Sequence, residues 1–323
     1  MAGSDARERT AVIVTVLNEA GTIDGLLDSL TRQTRVPDEV VIVDGGSTDG
    51  THERLAAWQD RLPLRVVCEP GATIARGRNL AIQASTAEVI AATDAGVRLA
   101  PDWLERLLAC MSPGVDVVSG FFVPDCETTF ERAMAATVLP SLQDVQAERF
   151  LPSSRSVLFR RAAWRRTGGY PEWLDYCEDL VFDLALKRAG CHFAFAPDAV
   201  VWFRPRGSLS AFFTQYFRYA RGDGKAGLWL GRHAIRYGTY LSAMLLASRG
   251  PRAWLLLVLG GLAYTWRPYQ RLGQLVQGLP ARERILALLL VPVIRLVGDL
   301  AKMLGFPVGI AWAWRRWTSR SSS

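Results

Sequence analysis

The chain has 323 residues, half of them hydrophobic, and a formal net charge of +7. This length accommodates one large α/β domain with a sizeable core plus an appendage. Arginines punctuate the apolar last third, which suits anionic lipid headgroups, whereas the first 225 residues lack the basic, aromatic-interleaved stripe of a nucleic-acid binder. We therefore expect no nucleic-acid partner.

The five cysteines are odd in number and include no C-x-x-C pair. This usage argues against a disulfide framework and a zinc site, and it favours a reducing compartment. The first ten residues are polar and lead directly into a strand, without the apolar stretch of a signal peptide. We expect this part of the chain on the cytoplasmic side.

Strands and helices alternate over the first 110 residues. Continuous β-branched runs are typical of strands buried on both faces, and apolar residues at helical spacing follow them. The alternation predicts a mostly parallel, Rossmann-like sheet covered by helices. The predicted strands are 10–17, 39–43, 64–68 and 87–93, and the predicted helices are 20–33, 52–60, 74–84 and 101–110.

The pattern is less regular farther along the chain, where an irregular loop is predicted up to residue 152. We expect the α/β domain to extend over residues 1–225. Its remaining predicted strands are 115–122, 157–159, 193–195 and 199–203, and its remaining predicted helices are 129–138, 162–166, 180–188 and 209–222.

Polar residues end three of the predicted strands: Asn18 and Glu19 follow the first, Asp44 ends the second and Asp94 ends the fourth. Open α/β sheets bind ligands beyond the carboxyl ends of their strands. A carboxylate there accepts hydrogen bonds from a base or a ribose. These residues are therefore candidates for a binding site.

Four motifs occur in order: T-V-L-N-E at 15–19, V-D-G-G-S-T-D-G-T at 43–51, G-R-N at 77–79 and T-D-A-G at 93–96. Together they resemble the motifs of a family 2 glycosyltransferase with the GT-A nucleotide-diphospho-sugar transferase fold. The resemblance covers about residues 9–225. It implies an inverting enzyme that uses a nucleotide-diphosphate sugar as donor.

The resemblance also implies which residues bind the donor. It implies that Thr15, Glu19 and Asp44 hold the nucleotide base and ribose, and that Arg78 approaches the nucleotide and its phosphates. A guanidinium suits this role because it pairs bidentately with phosphate oxygens.

Two alternatives concern the glycine-rich turn. Asp44, Ser47 and Asp49 alone are also suited to shaping that turn and capping the next helix. A Rossmann dehydrogenase shares the fold pattern, but its G-x-G-x-x-G fingerprint follows the first strand, where this chain has Asn18 and Glu19. We do not expect a hydride-transfer enzyme.

Asp94 is the candidate metal ligand. The family usually presents D-x-D here, with a carboxylate on a divalent cation, Mg2+ or Mn2+, that bridges the diphosphate. This chain has Gly96 in place of the second carboxylate, and Trp202-Phe203-Arg204 where many relatives carry a metal-binding histidine. A divalent cation is therefore possible, with Arg204 or Arg206 as substitutes that neutralise the diphosphate.

The candidate catalytic residues lie in C-E-D-L at 177–180. Inverting transfer needs a carboxylate that takes the proton of the acceptor hydroxyl. The resemblance, strengthened by the preceding L-F-R-R-A-A-W-R-R-T-G-G-Y at 158–170, implies Asp179 as this base and Glu178 as a positioning residue. The alternative is two acids complementing a helix N-terminus.

The segment Q-Y-F-R-Y-A-R-G at 215–222 resembles the Q-x-x-R-W segment of processive relatives. Its Arg218 and Arg221 lie three apart on one helix face, so either is suited to pairing with donor phosphate. The alternative is an interfacial helix that places both arginines on lipid headgroups.

We expect residues 226–323 to be a helical, membrane-associated region that holds the enzyme at the cell membrane. No apolar run reaches 18 uninterrupted residues. Imperfect spans, interfacial amphipathic helices and a soluble helical domain with an apolar core remain open. The apolar segments are 237–248, 253–266, 285–298 and 303–314.

The expected function is a hexosyltransferase-like enzyme that moves a sugar to a hydroxyl of a lipid-linked or cell-envelope glycan, in polysaccharide biosynthesis. The alternative is a catalytically silent, nucleotide-sugar-binding membrane scaffold, which is motivated by Gly96 in place of a carboxylate.

Overall fold

The structure is a computed structural model that describes residues 8–321. The first seven residues, part of the segment used above to argue against a signal peptide, lie outside that range. The strands are β1 (Thr10–Val16), β2 (Glu39–Asp44), β3 (Leu64–Cys68), β4 (Val89–Ala92), β5 (Val97–Leu99), β6 (Val117–Pro124), β7 (Val157–Arg160) and β8 (Phe193–Phe203). The helices are α1 (Ile23–Thr31), α2 (Thr51–Ala56), α3 (Ile74–Ala84), α4 (Trp103–Ala109), α5 (Thr129–Val138), α6 (Arg161–Thr167), α7 (Glu178–Arg188), α8 (Leu209–Ala226), α9 (Leu230–Ala247), α10 (Pro251–Leu275) and α11 (Ala281–Ser321).

The chain divides into two compact units. The α/β unit comprises Met1–Val123 and Asp144–Phe203, and the helical unit comprises Pro124–Gln143 and Arg204–Ser323. The helix α8, placed by the sequence at the end of the N-terminal domain, groups with the helical unit. The domain boundary at residue 225 stays a prediction. The two compact units have different bounds.

The α/β unit contains one eight-stranded sheet with the order β3-β2-β1-β4-β7-β6-β8-β5. The pairs β3/β2, β2/β1 and β1/β4 are parallel, whereas β4/β7, β7/β6 and β8/β5 are antiparallel. The prediction of a mostly parallel sheet is therefore correct only for its first four strands, because β7 enters beside β4 in the opposite direction. The whole sheet is mixed.

The parallel strands are buried on both faces, as their unbroken apolar sequences predict. Val12 and Val14 of β1 belong to one core cluster with Leu27 of α1. Ala11 and Ile13 point to the opposite face and belong to a second cluster, which includes Ala75 and Ile82 of α3. This alternation along one strand places helices on both sides of the sheet and leaves its carboxyl edge for polar residues.

Two strand predictions differ from the structure. The predicted strands 193–195 and 199–203 form one strand, β8, which continues through Pro197 because the fixed φ of proline is compatible with an extended chain. The three-residue β5 was not predicted, since a run so short carries no readable alternation. It pairs with β8 so that Val97 lies opposite Phe203.

Glycines bring α8 and α11 together within the helical unit. A Cβ at Gly309 would lie 2.1 Å from the Arg221 carbonyl oxygen, and a Cβ at Gly305 would lie 2.2 Å from that of Phe217. A Cβ at Gly224 would similarly lie 2.3 Å from the Phe306 carbonyl oxygen. The two helices therefore touch backbone to backbone, which only glycine permits at these positions.

The predicted segments 285–298 and 303–314 form one 41-residue helix, α11, which contains Pro292 and Pro307. A proline in a helix leaves the carbonyl four residues earlier without its amide donor. The structure supplies two substitutes: the Tyr269 hydroxyl donates to the Leu288 carbonyl (3.3 Å), and the Tyr237 hydroxyl donates to the Met303 carbonyl (2.6 Å). Because both freed carbonyls find donors, the helix continues where the sequence predicts an interruption.

A buried carboxylate links three helices of the same unit. Asp299 is 2% exposed and accepts hydrogen bonds from Arg236 Nε (2.9 Å), Tyr240 Oη (3.1 Å) and Tyr264 Oη (2.6 Å). Burial lowers the pKa of the nearby Lys302 to about 8. Four polar side chains of this apolar unit, on three helices, thus form one internal network.

Large apolar side chains are exposed along α9, α10 and α11, including Met244 (72%), Leu255 (62%) and Trp314 (70%). Over residues 8–321, no helix combines the length and the apolar character that crossing a bilayer requires.

Candidate active site

The carboxyl ends of β1, β2 and β4 meet at one edge of the sheet. Val16 is the register partner of Asp44, and Thr93 donates its backbone N–H to the Ile13 carbonyl (3.2 Å). Asp44 and Asp94 therefore lie on either side of the end of β1, about two strand spacings or roughly 10 Å apart. The predicted grouping of these two carboxylates at one edge is present.

Asp44 is buried and shapes the glycine-rich turn. Its Oδ1 accepts from the backbone N–H of Gly46 (3.0 Å), the N–H of Ser47 (2.8 Å) and the Ser47 hydroxyl (2.7 Å). Its Oδ2 lies 4.0 Å from Nδ1 of the half-exposed His52. Asp44 Oδ1 therefore shapes the turn. Contact between Asp44 Oδ2 and a nucleotide stays a prediction.

The ends of β1 and β2 are tied together by side-chain hydrogen bonds. Asn18, with a left-handed φ of 56°, accepts from the Thr48 N–H (2.9 Å) and donates its own N–H to Ser47 Oγ (2.9 Å). The Glu19 N–H donates to Thr51 Oγ1 (2.8 Å). These bonds fix the first two motifs against each other, and they leave the Glu19 carboxylate in contact with the Thr22 hydroxyl.

Arg78 joins two other predicted residues, Asp94 and Glu178. Its neighbour Gly77 lets α3 approach β1, because a Cβ there would lie 2.6 Å from Thr15 Cγ2. The buried guanidinium donates from Nη1 to Glu178 Oε1 (2.7 Å) and from Nη2 to Asp94 Oδ1 (3.0 Å). Burial alone would lower the pKa of Arg78, but the two carboxylates raise it above its ordinary value. Arg78 thus stays charged and connects the end of β4 with the start of α7.

Asn79, which the sequence alone did not mark as a site residue, positions the segment that leads to α7. Its side chain donates to the Tyr170 carbonyl (2.9 Å) and to Glu172 (2.9 Å), and it accepts from the Tyr170 N–H (2.9 Å) and from Trp164 Nε1 (3.0 Å). A Cβ at Gly169, where φ is +83°, would lie 2.7 Å from the Asn79 oxygen. The G-R-N and G-G-Y motifs therefore form one structural element.

The acid pair begins α7, after Cys177 turns the chain with a φ of 65°. Glu178 is buried, and burial together with the neighbouring Asp179 raises its pKa to about 7 despite the Arg78 contact. One turn later, burial also raises the pKa of Asp183 well above its usual range. Asp179 is the least buried of the three acids, and its Oδ1 accepts from the Leu180 N–H (2.8 Å).

Arg155 lies beside Asp94, a contact that no motif indicated. Arg155 Nε is 3.6 Å from Asp94 Oδ2, on the side of the carboxylate away from Arg78. Its guanidinium carbon is 4.6 Å from the centre of the Phe203 ring and 5.9 Å from that of Phe122. Asp94 therefore faces a guanidinium at each of its two oxygens.

Part of the sequence matches a known family. Residues 11–168 match the family described as Glycosyl transferase family 2. These residues are a family 2 glycosyltransferase domain. The predicted resemblance is confirmed within those bounds.

Two curated glycosyltransferase relatives extend beyond this domain. The chain is 29% identical over 237 residues to the succinoglycan biosynthesis protein ExoA of Rhizobium meliloti, covering 66% of this chain and 68% of ExoA. It is 28% identical over 229 residues to the glycosyltransferase AglE of Haloferax volcanii, covering 68% of this chain and 74% of AglE. The prediction of a nucleotide-sugar-dependent transferase is confirmed, and the protein is such an enzyme.

Solved structures share the fold of this glycosyltransferase. The mannosyltransferase PcManGT from Pyrobaculum calidifontis, in complex with GDP-Man and Mn2+, gives a TM-score of 0.63 at 21% identity and covers 93% of this chain and 88% of that one. Residues 1–349 of S. aureus TarS in complex with UDP-GlcNAc give a TM-score of 0.52 at 18% identity, covering 95% and 92%. The predicted GT-A-like α/β fold is therefore confirmed, with a mixed sheet and C-terminal helices.

Other predicted donor contacts of the glycosyltransferase lie in the helical unit. Arg204 pairs with Glu131 (2.7 Å) and Glu127 (2.8 Å), so two carboxylates already neutralise the side chain that the sequence suggested for the diphosphate. Arg218 and Arg221 lie on α8, and their contact with donor phosphate stays a prediction.

Asp94 does not form a metal site with other side chains. Within residues 8–321 no group of three or more His, Cys, Asp or Glu residues is arranged to hold an ion. Gly96 contributes no ligand, although nothing lies within 4 Å of the position of a Cβ there. Arg78 and Arg155 place two positive charges beside this carboxylate, which disfavours a cation there.

Proposed function

We propose that this glycosyltransferase transfers a sugar with inversion from a nucleotide-diphosphate sugar to an acceptor hydroxyl, with Asp179 as general base. The observation that carries the proposal is the buried Arg78, which bonds to Asp94 at one end and to Glu178 at the other. This bridge puts the strand ends expected to hold the donor next to the acid pair of α7. A donor sugar and an acceptor hydroxyl would therefore meet between them.

The proposed reaction is a direct displacement. The acceptor oxygen forms a bond to the anomeric carbon while the bond from that carbon to the diphosphate oxygen breaks, and the departing oxygen keeps the electron pair. The acceptor proton passes to the Asp179 carboxylate. Asp179 suits this step because it is more exposed than Glu178 and Asp183, whose raised pKa values favour their neutral forms.

A divalent cation on the diphosphate is one candidate for offsetting charge on the departing nucleotide. It is supported by PcManGT, which is solved with GDP-Man and Mn2+. The side chains around Asp94 fit such an ion poorly, because one carboxylate stands between two guanidinium groups. No step of the proposed reaction is therefore assigned to a metal.

The proposed acceptor is a hydroxyl of a lipid-linked or cell-envelope glycan, in polysaccharide biosynthesis. The name of ExoA, a succinoglycan biosynthesis protein, supports this acceptor class. UDP-GlcNAc in the TarS structure and GDP-Man in the PcManGT structure support a nucleotide-diphosphate sugar as donor.

We also propose that the enzyme works at the cytoplasmic face of the cell membrane, bound through α9, α10 and α11 lying in the interface. Residues 226–323 contain 13 lysines and arginines against 2 acidic residues. Exposed apolar side chains next to such an excess of positive charge are what an anionic lipid surface attracts. Binding to vesicles with and without anionic lipid tests this attachment.

The test of the proposed chemistry is Asp179→Asn in the full chain, assayed with a panel of UDP- and GDP-sugars. We expect the variant to bind the same donor as the wild type while sugar transfer and donor hydrolysis fall about 100-fold or more. The matched control is Asp102→Asn at the start of α4, because Asp102 pairs with Arg106 on the surface and the change should leave turnover unchanged. Donor binding by the wild type without any turnover would instead favour the silent scaffold.

A further inference from the structure

The backbone of Arg155 is anchored to the strand end that carries Asp94. The Thr93 hydroxyl donates to the Arg155 carbonyl oxygen (2.8 Å), so the residue beside Asp94 holds Arg155 at a fixed position. The two aromatic rings then limit where the guanidinium can lie. An arginine packed on aromatic faces loses little water when it binds an anion, because the rings already cover part of it.

The contact between Arg155 and Asp94 is looser than the contact between Arg78 and Asp94. Arg155 Nε is 3.6 Å from its carboxylate oxygen, beyond ordinary hydrogen-bond distance, whereas Arg78 Nη2 is 3.0 Å from the other oxygen. The Arg155 side chain is 24% exposed, against 5% for Arg78. The Arg155 side chain is thus more accessible to an incoming anion than that of Arg78.

The surroundings of Asp94 suit this fixed cation better than Mg2+ or Mn2+. These ions bind several oxygen ligands in a nearly regular geometry. The neighbouring positions offer a glycine at 96 and a phenylalanine at 203, and the register of β5 with β8 brings these two positions close together. Arg155 lies on the ring of that phenylalanine. The positive charge next to Asp94 Oδ2 therefore belongs to a covalently attached guanidinium.

We propose that Arg155 binds the diphosphate of the donor and supplies the positive charge on the departing nucleotide, so that the enzyme needs no divalent cation. The proposal rests on the proposed function. In it, the phosphate oxygens replace Asp94 Oδ2 as the partner of Arg155, and Asp94 keeps its bond to Arg78. The guanidinium gives the phosphate charge-assisted hydrogen bonds in a geometry that matches two oxygens at once.

The first test measures binding of UDP and GDP to the full-length protein by calorimetry, once in excess EDTA and once in Mn2+. We expect at least one of the two nucleotides to bind with Kd values in the two conditions that agree within about twofold, since the charge belongs to the protein. A nucleotide that binds only when Mn2+ is present would overturn the proposal and leave the proposed function intact. Failure of both nucleotides to bind in either condition would overturn both.

The second test compares Arg155→Gln with Arg98→Gln. Arg98 is a matched control because it also packs on an aromatic ring, with its guanidinium carbon 4.5 Å from the ring centre of Trp202. We expect Arg155→Gln to weaken diphosphate binding in EDTA about 10- to 100-fold, while affinity for the uncharged nucleoside, uridine or guanosine, is unchanged. Arg98→Gln should change neither affinity.

Arg155→Lys separates the role of the charge from a loss of folding. We expect its diphosphate affinity to lie between those of the wild type and Arg155→Gln, because lysine keeps the charge and loses the planar fork. Equal affinities for wild type and Arg155→Gln, at equal melting temperatures without ligand, would overturn the proposal. An equal loss for the diphosphate and the nucleoside would do the same, since it would indicate a general structural role.

Discussion

Each of the two units contains a buried carboxylate that is bonded to an arginine, and the two carboxylates are treated differently. In the helical unit, Asp299 receives three donors, from Arg236, Tyr240 and Tyr264. In the α/β unit, Glu178 receives a single side-chain donor, Arg78, among residues 8–321, stands next to Asp179, and has a pKa raised to about 7. A fully bonded buried carboxylate stabilises a fold, whereas an incompletely compensated one is typical of a reactive site. The contrast separates the structural network from the proposed active site.

The largest expected effect comes from removing the arginine of each pair. Arg78→Gln should cost about 3 kcal/mol of unfolding free energy and lower kcat/KM about 100-fold or more, because it leaves Glu178 buried and separates the two halves of the site. Arg236→Gln should cost a similar amount of stability and leave kcat/KM within about twofold. Urea denaturation and donor turnover measure the two quantities. Similar losses of activity in both variants would contradict the distinction between a reactive Glu178 and a structural Asp299.

The backbone contact between α8 and α11 should be the next most sensitive feature. Gly309→Ala should cost about 3 kcal/mol, because its Cβ would lie 2.1 Å from a carbonyl oxygen that belongs to a helix and cannot move alone. Gly273→Ala in α10 is the matched control, since nothing lies within 4 Å of its added Cβ. That control should be stabilised by up to about 1 kcal/mol through helix propensity. Chemical denaturation of both variants tests the difference.

The raised pKa of Glu178 predicts a pH dependence of stability. The folded protein holds this proton up to about pH 7, whereas the unfolded chain releases it near the ordinary value of 4.5. Stability should therefore fall as pH rises between these values, by about 1 to 3 kcal/mol from this group. Glu178→Gln removes the group and should flatten that slope in urea titrations at several pH values. An unchanged slope would show that Glu178 is ionised throughout the range.

Removing a tyrosine hydroxyl that donates to a proline-freed carbonyl of α11 should have the smallest effect on stability. Tyr237→Phe should cost about 1 kcal/mol, because it leaves the Met303 carbonyl without its donor. In the background of Pro307→Ala, which restores the backbone amide, the same change should cost almost nothing. A double-mutant cycle measures the coupling. Equal costs in both backgrounds would mean that the hydroxyl does not replace the missing amide.

The sequence predicted the part of the site that depends on strand order. Asp44, Arg78, Asp94 and Glu178 follow or flank elements whose apolar patterns are strong, so their meeting at one edge follows from the topology of parallel strands. The antiparallel entry of β7 was not predictable in the same way, because a four-residue strand has no pattern that encodes its direction.

The residues that the sequence missed act through contacts between distant segments. Asn79 bonds to residues around position 170, and Arg155, just before β7, contacts Asp94, just after the neighbouring strand β4. Asn79 lies in the G-R-N motif, but the residue types of Asn79 and Arg155 do not by themselves indicate these contacts, since asparagine and arginine are common in exposed loops and helices. In the last third, the continuity of α11 was hidden because its two prolines argue for a break, and the compensating donors lie on other helices.

These two tyrosine hydroxyls also determine how far α11 is shifted along its own axis relative to α9 and α10. A helix with small residues at its contacts can shift along its neighbour by one turn, about 5.4 Å, while it keeps most of its apolar packing. Such a shift would move both proline-freed carbonyls away from their hydroxyls at the same time. Two donors on two different helices, α9 and α10, therefore select the same register of this 41-residue helix that the glycine contacts with α8 require.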